Sequence, residues 1–231
     1  MVAKQRLRIA IDGPAAAGKS TVAKRLAKDL SYIYVDTGAM YRALTLHCLR
    51  NNLSLTDEEA VYNLLLNTKI ELKQTNDTQR VLLNGEDVTE AIRSNDVSRK
   101  VSIVAKLGAI RKEMLARQRE MASNGNVIMD GRDIGTNVLP DAEVKFYLIA
   151  SVDERAKRRY EENIKKGIPT TLEQLKKEIA ERDRRDMERE HAPLKQAEDA
   201  IAIDTTSLSI EEVVSQMLKH VNKVRNFREE S

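Results

Sequence analysis

Five short apolar runs constrain this chain most: RIAID (Arg8 to Asp12), YIYVD (Tyr32 to Asp36), NVIMD (Asn126 to Asp130), VKFYLIA (Val144 to Ala150) and AIAID (Ala200 to Asp204). Each is continuous rather than alternating, the pattern of a strand covered on both faces, and helical patterns lie between or after them. The alternation predicts an α/β fold with a five-stranded parallel sheet flanked by helices, its ligand crevice at the carboxyl ends of the strands. Four of the runs end in aspartate, so that edge gathers carboxylates. At 231 residues the chain suits one core of ordinary size.

Directly after the first run comes GPAAAGKST, Gly13 to Thr21, which fits G-x-x-x-x-G-K-[ST] between a strand and the helical run TVAKRLAKDL. Small residues (Gly13, Pro14, Ala15, Ala16, Ala17, Gly18) keep such a loop bare, so that backbone N–H groups and a helix start face a polyphosphate. Lys19 is then expected on the β/γ-phosphates and Ser20 on Mg²⁺, with Thr21 completing the motif. NTP binding follows, but the use of the NTP does not. A guanine switch is disfavoured, because no DxxG occurs and the nearest base motif, TKIE at Thr68 to Glu71, ends in Glu within an alternating strand.

The second run continues into DTGAMYRA, Asp36 to Ala43. A Thr-Gly at a strand end, with an arginine one helical turn on, suits a second anion and thus a phosphoryl acceptor. The third run opens VIMDGRDIGT, where two carboxylates flank Arg132. On residues alone it reads as a metal site, a phosphate clamp, a base reader or a surface ion pair.

Elsewhere, residues from Lys69 to Val88 alternate apolar and polar around the turn signals TNDT and NGED, which predicts a small antiparallel insertion. One long helical pattern runs from Ser94 to Ser123, ending at the turn SNGN. Asp153 to Arg189 is dense in charge and broken at KGIPTT, the pattern of two polar helices forming a lid. The last helix spaces Ile210, Val213, Val214, Met217, Leu218 and Val221 for packing on the core.

Together IDGPAAAGKST, VDTGAMYR, MDGRDIGT and ERDRRDMERE, in that order, resemble the bacterial cytidylate kinases among the nucleoside monophosphate kinases. The resemblance implies a P-loop NMP-kinase fold in a single domain spanning 1–231, with an NMP-binding insertion at about 62–95 and a helical lid at about 153–189. It implies Mg²⁺-dependent transfer of the γ-phosphoryl of ATP to CMP or dCMP. By the same resemblance Thr37, Tyr41 and Arg42 line the CMP site, with Arg42 and Arg132 on its phosphate and Arg189 also on the nucleotide. Ser102 lies near the sugar, Arg111 reads the cytosine edge, and Arg182 and Asp186 sit at the ribose. Asp133 supplies the carboxylate for cytosine's N4 amine; uracil would oppose its O4 acceptor to that carboxylate. The lid arginines Arg155, Arg158 and Arg159 are candidates for the transferred phosphate, with Arg158 taken as catalytic beside Lys19, Arg42 and Arg132. Asp130 is the expected carboxylate on the Mg²⁺ side, directly or through water, and Asp36 the alternative.

Bland readings stand beside these. The Arg182 to Arg189 run suits a solvated helix face with i,i+4 ion pairs, and Ser102 and Arg111 suit plain helix surface. His47 and Cys48 are expected to pack rather than ligate, since no second Cys or His lies at metal spacing; His191 and His220 carry no signal. A P-loop kinase for UMP or another small acceptor, and a nucleotide-dependent nucleic-acid-binding protein, are the alternative functions. Against the last, the net charge is only +3, from 39 basic and 36 acidic side chains, and aromatics are 3%. The start MVAKQRLRIAIDG has no signal-peptide pattern, no run is apolar enough to span a bilayer, and one cysteine forms no internal disulfide. A cytoplasmic monomer without membrane or nucleic-acid partners is expected.

Overall fold

A parallel sheet carries the fold. In the computed structural model, which describes residues 6–75, 79–123 and 125–229, the strands are β1 (Arg8–Asp12), β2 (Ile33–Asp36), β6 (Val127–Asp130), β7 (Val144–Ile149) and β8 (Ile201–Asp204), in the order β2-β6-β1-β7-β8. Ile9 pairs with Ile128 on one side and Val144 on the other, which puts β1 at the centre, and Phe146 pairs with Ile201. The chain leaves β1 towards one edge and later crosses it from β6 to β7, so the ends of β1 mark a topological switch point. Ile9, Ala10, Ile11, Val127, Ile128, Met129 and Leu148 are fully or almost fully buried, as a continuous apolar run requires. β8 departs from that expectation: as an edge strand it buries only Ile203 and leaves Ala202 exposed.

A second, three-stranded antiparallel sheet joins β3 (Ile70–Gln74), β4 (Gln79–Leu83) and β5 (Glu86–Asp87), with Ile70 opposite Leu83. Asn84 and Gly85 make the NGED turn in left-handed conformations. Of the other expected turns, Asn76 to Thr78 and Asn124 lie outside the described residues.

Among the described residues, eight α-helices accompany these strands: α1 (Lys19–Leu30), α2 (Thr37–Arg50), α3 (Glu58–Leu66), α4 (Asn95–Val104), α5 (Gly108–Ala122), α6 (Val152–Lys165), α7 (Leu172–Glu188) and α8 (Ile210–Glu229). Two compact units result, one of residues Met1–Tyr32 with Asn124–Ser231 and one of Ile33–Ser123. The second has its own core around Met40, Leu44, Cys48, Val61, Leu65, Ile92, Val104, Ile110 and Met114, each fully buried. Cys48 is thus a packing residue, and burial pushes its thiol up to about 11, out of reach of thiolate chemistry.

Two expectations need correction. The helical pattern from Ser94 to Ser123 is two helices, because the chain breaks at residues 105–107, where Leu107 turns to an extended conformation and buries its side chain in the second unit's core. Gly108, a weak helix former, starts the next helix. On α8, Val213, Val214, Met217 and Val221 are buried, but Ile210 in the first turn is exposed. Between Lys165 and Leu172 the charge-dense segment breaks as expected, and α6 and α7 pack through a small cluster of Ala156, Leu175 and Ile179.

Candidate active site

At the carboxyl end of β1 the chain turns through the phosphate loop. Gly13 has φ 145°, and a Cβ there would stand 2.3 Å from the Leu148 carbonyl oxygen, so any other residue would have to move the backbone of β7. Ala16 at φ 60° and Gly18 at φ 87° carry the loop through left-handed conformations into α1. The side chains of Asp36, Asp57, Ser94, Ser151 and Thr171 cap α2, α3, α4, α6 and α7, whereas no side chain caps α1. Its first amides and the positive end of its dipole remain for an anion.

Lys19 opens α1, is 6% exposed, and donates to the Pro14 carbonyl at 2.7 Å. Burial and then Arg132 push its ammonium well below its usual pKa, against the pull of Asp130 and Asp12. An arriving polyphosphate would reverse that balance by adding the negative charge the pocket lacks. Ser20 donates to Asp130 Oδ2 at 2.8 Å, so hydroxyl and carboxylate oxygen already converge. Among the described residues no group of three His, Cys, Asp or Glu is placed to hold a metal unaided. Two hard oxygen donors beside a phosphate loop fit Mg²⁺, a hard cation that one or two protein oxygens would suffice to hold at a phosphate site. Asp36, the alternative carboxylate, is engaged otherwise: it caps α2 through the Ala39 amide at 2.8 Å and pairs with Arg42 Nη2 at 2.8 Å.

The VIMDGRDIGT stretch distributes its charges over different partners. Arg132 Nε binds Asp186 Oδ2 at 2.8 Å; burial opposes the guanidinium's charge, but Asp186 more than restores it and raises its pKa. Burial likewise opposes ionisation of Asp186, and Arg132, Arg182 and Arg189 outweigh it, holding the carboxyl below its usual range. Asp133 accepts from Arg189 Nη2 at 3.0 Å and from Asn137 Nδ2 at 3.1 Å. A π-helical turn, Ile134–Val138, follows. It is held by Asp12, whose carboxylate accepts the amides of Ile134 at 2.8 Å and Gly135 at 2.7 Å. Burial raises the Asp12 carboxyl to about 6 despite those two bonds.

Helix α7 resolves its charge run by face. Glu181, Arg184, Arg185 and Glu188 form exposed ion pairs, while Asp183 and Asp186 are buried and Arg189 turns inward to Asp133. The solvated-face reading holds for one side of the helix only. On α6, Arg155 is buried and paired with Asp183, Arg158 donates to the Thr205 hydroxyl at 3.2 Å, and Arg159, partly exposed, pairs with Glu162.

In the second unit, α2 carries Thr37, Tyr41 and Arg42. Arg42 Nε is buried without a hydrogen-bond partner, an orphaned donor beside the Asp36 pair. The Arg111 guanidinium lies 5.8 Å from the Tyr41 ring centre and donates to the Ala105 carbonyl at 3.2 Å, so the break between α4 and α5 positions this side chain. Ser102 and Arg111 are 8% and 7% exposed, which the plain-surface reading does not accommodate.

Sequence reasoning did not single out Asp12, Asn137, Asp183 or Thr205. Asp12 carried a signal as a strand-end aspartate before the loop; the other three sit among ordinary polar residues and are found only through their partners.

An uncapped helix behind a glycine-bounded loop, with Lys19 turned back on that loop and Ser20 bonded to Asp130 at the end of β6, defines a P-loop nucleotide-binding protein. The Cytidylate kinase family model matches residues 9–223, and the chain belongs to that family. It is 64% identical over 220 residues to the cytidylate kinase of Geobacillus sp. (strain WCH70), covering 95% of this chain and 98% of that one. The cytidylate kinase of Bacillus subtilis (strain 168) is 60% identical over 220 residues, with the same coverage of 95% and 98%. Among solved structures, an uncharacterized protein from Eubacterium ventriosum ATCC 27560 superposes with a TM-score of 0.54 at 11% identity, covering 94% of this chain and 99% of that one, a likeness of fold alone. The fold is that of the P-loop nucleoside monophosphate kinases.

Proposed function

We propose that this chain is a phosphotransferase that converts CMP and dCMP to CDP and dCDP with ATP, by direct in-line transfer of the γ-phosphoryl group. The observation that carries the reading is the phosphate loop, with Lys19 folded onto it and Ser20 bonded to Asp130, in a chain of the cytidylate kinase family. Loop amides from Gly13 to Thr21 and the start of α1 bind the donor phosphates, and Lys19 exchanges the Pro14 carbonyl for phosphate oxygen. Ser20 and Asp130 would hold Mg²⁺, which would supply positive charge to neutralise the charge developing on the transferred phosphoryl group.

Arg42 and Arg132 bind the acceptor phosphate, each set at a fixed angle by its carboxylate, Asp36 or Asp186. Thr37, Tyr41, Ser102, Arg111, Arg182 and Arg189 complete the acceptor contacts, with Asp133 accepting from the N4 amine of cytosine. Residues 62–95 serve as the NMP-binding insertion and 153–189 as the lid of one kinase domain, with Arg158 directed to the transferred phosphate. No general base is required, since phosphoryl transfer asks for positioning and charge neutralisation. Among the described residues no helix is long and apolar enough to cross a membrane, and a buried single cysteine suits the cytoplasm, where we place the enzyme as a monomer.

ADP release from ATP and Mg²⁺ across a panel of nucleoside monophosphates tests the assignment. CMP and dCMP should be turned over at least tenfold more efficiently than UMP, from the roughly 1–3 kcal/mol lost when a buried polar pair is mismatched. In Asp133→Ala that preference should collapse. Turnover of another acceptor with none of CMP or dCMP would sink the reading.

A further inference from the structure

The phosphate loop is held from behind. Its amides can face an anion only if its carbonyls face away, and a carbonyl turned into the protein needs a donor. Three side chains supply one: Lys19 Nζ to Pro14 O at 2.7 Å, Arg155 Nη1 to Ala15 O at 3.0 Å, and Thr205 Oγ1 to Ala17 O at 3.2 Å. Lys19 belongs to the donor site and must turn to the phosphates. Arg155 is placed differently.

Every nitrogen of its guanidinium is engaged inside the protein. Nε donates to the Ala150 carbonyl at the end of β7 at 2.9 Å, Nη1 reaches the loop, and Nη2 meets Asp183 Oδ2 at 2.6 Å. The side chain is 4% exposed, and a planar fork fixed at three corners does not swing towards solvent without breaking all three. Asp183 sits on α7 between the acceptor-side residues Arg182 and Asp186, three residues before Asp186 and six before Arg189. One cation therefore spans the donor loop and the helix that presents the acceptor contacts.

We propose that Arg155 is a positioning residue and not a phosphate ligand: it fixes the carbonyl-out setting of the loop at Ala15 and, through Asp183, ties that setting to α7. This rests on the kinase reading above for the roles of the loop and of α7. It overturns the sequence expectation that groups Arg155 with Arg158 and Arg159 as candidates for the transferred phosphate.

Equilibrium titrations without turnover separate the two roles. A ligand of the γ-phosphate, when replaced, weakens ATP and spares ADP. A residue that sets the loop amides weakens both alike, since those amides serve the β-phosphate. In Arg155→Lys, which keeps the charge but cannot hold three directions at once, ATP and ADP affinity should fall by the same factor, about tenfold or more, and CMP affinity should fall in the absence of ATP. Asp183→Asn should weaken CMP, and adding it to Arg155→Lys should cost CMP binding little more, because the two act as one unit.

A loss confined to ATP, or unchanged ATP, ADP and CMP affinities in a protein that melts cooperatively, overturns the proposal. If Arg155→Lys does not fold, the ATP and ADP comparison is made in Asp183→Asn, where an equal fall supports the proposal and an ATP-only fall or no change overturns it. Failure of the wild-type protein to phosphorylate CMP would remove the function assigned above and leave the ATP and ADP comparison to decide the role of Arg155.

Discussion

Asp12→Asn tests the electrostatics of the site without any substrate. The wild-type carboxyl is 5% exposed and is raised by burial to about 6 from its ordinary value of 3.8. A rise of about two units corresponds to roughly 3 kcal/mol between its two protonation states. The sign follows from where the proton resides. Folded protein keeps the proton up to about pH 6, and unfolded chain releases it near pH 4, so the contribution is fully present below pH 4 and is lost as pH rises through 6. Asparagine does not titrate.

At pH 7 the substitution relieves the buried charge but turns an amide N–H towards one of the two backbone donors of Ile134 and Gly135, at a cost of about 1–3 kcal/mol. The absolute difference at one pH is therefore small, while its trend is not. Urea unfolding of both proteins between pH 4 and 7.5 should show the stability of wild type relative to the variant falling by about 3 kcal/mol across that range. A difference that stays flat, or grows with pH, would refute the claim that burial dominates the two hydrogen bonds at Asp12.

Three other measurements bear on the site directly. Ser20→Ala removes one of the two oxygens that fit Mg²⁺ and should raise the Mg²⁺ concentration for half-maximal activity by about tenfold, with no such shift if the hydroxyl only caps Asp130. Gly13→Ala puts a methyl 2.3 Å from the Leu148 carbonyl at a φ that L residues avoid, and should lower the melting temperature by several degrees, about 2 kcal/mol or more, even without ligand. Asp133→Asn should behave unlike Asp133→Ala: an amide that keeps its oxygen on Arg189 presents N–H₂ to the base, so UMP should gain on CMP beyond the simple loss of preference.

How much of this the sequence disclosed is clearest at the strand-end aspartates. Continuous apolar runs alternating with helical patterns place Asp12, Asp130 and Asp204 at one edge of the sheet, since the period of each run is a local property of the chain. Their duties are not local. Asp130 meets a serine 110 residues away, Asp12 caps amides more than 120 residues on, and Asp204 only turns back on Thr206 in an exposed turn. Identical residues at identical strand positions thus do different work, and only tertiary partners distinguish them. The same holds for α7, where spacing of i, i+4 and i+7 suits both a buried face and a ladder of surface ion pairs, and the helix has both. Arg155, Arg158 and Arg159 stand within five residues of one another in a charge-rich helix, yet one is a buried brace, one is docked on Thr205 and one is a partly exposed partner of Glu162.

A shared arrangement links the cations assigned to substrate. Arg42, Arg132 and Arg189 are each held by a carboxylate, and buried pairs of this kind bring little net stability because both charges must be desolvated. Their value lies in geometry. A guanidinium has five N–H donors, and a carboxylate engages one or two of them, which fixes the plane of the fork while leaving capacity for phosphate. A free, solvated arginine would pay its rotamer entropy when substrate arrives; these are ordered beforehand by bonds that folding has already made. The same logic extends to Asp133 and Asp186. As partners of Arg189 and Arg132 they set the cations, and on the kinase reading proposed above they would also accept from base and ribose, so removal of either carboxylate should weaken phosphate binding and nucleoside recognition together.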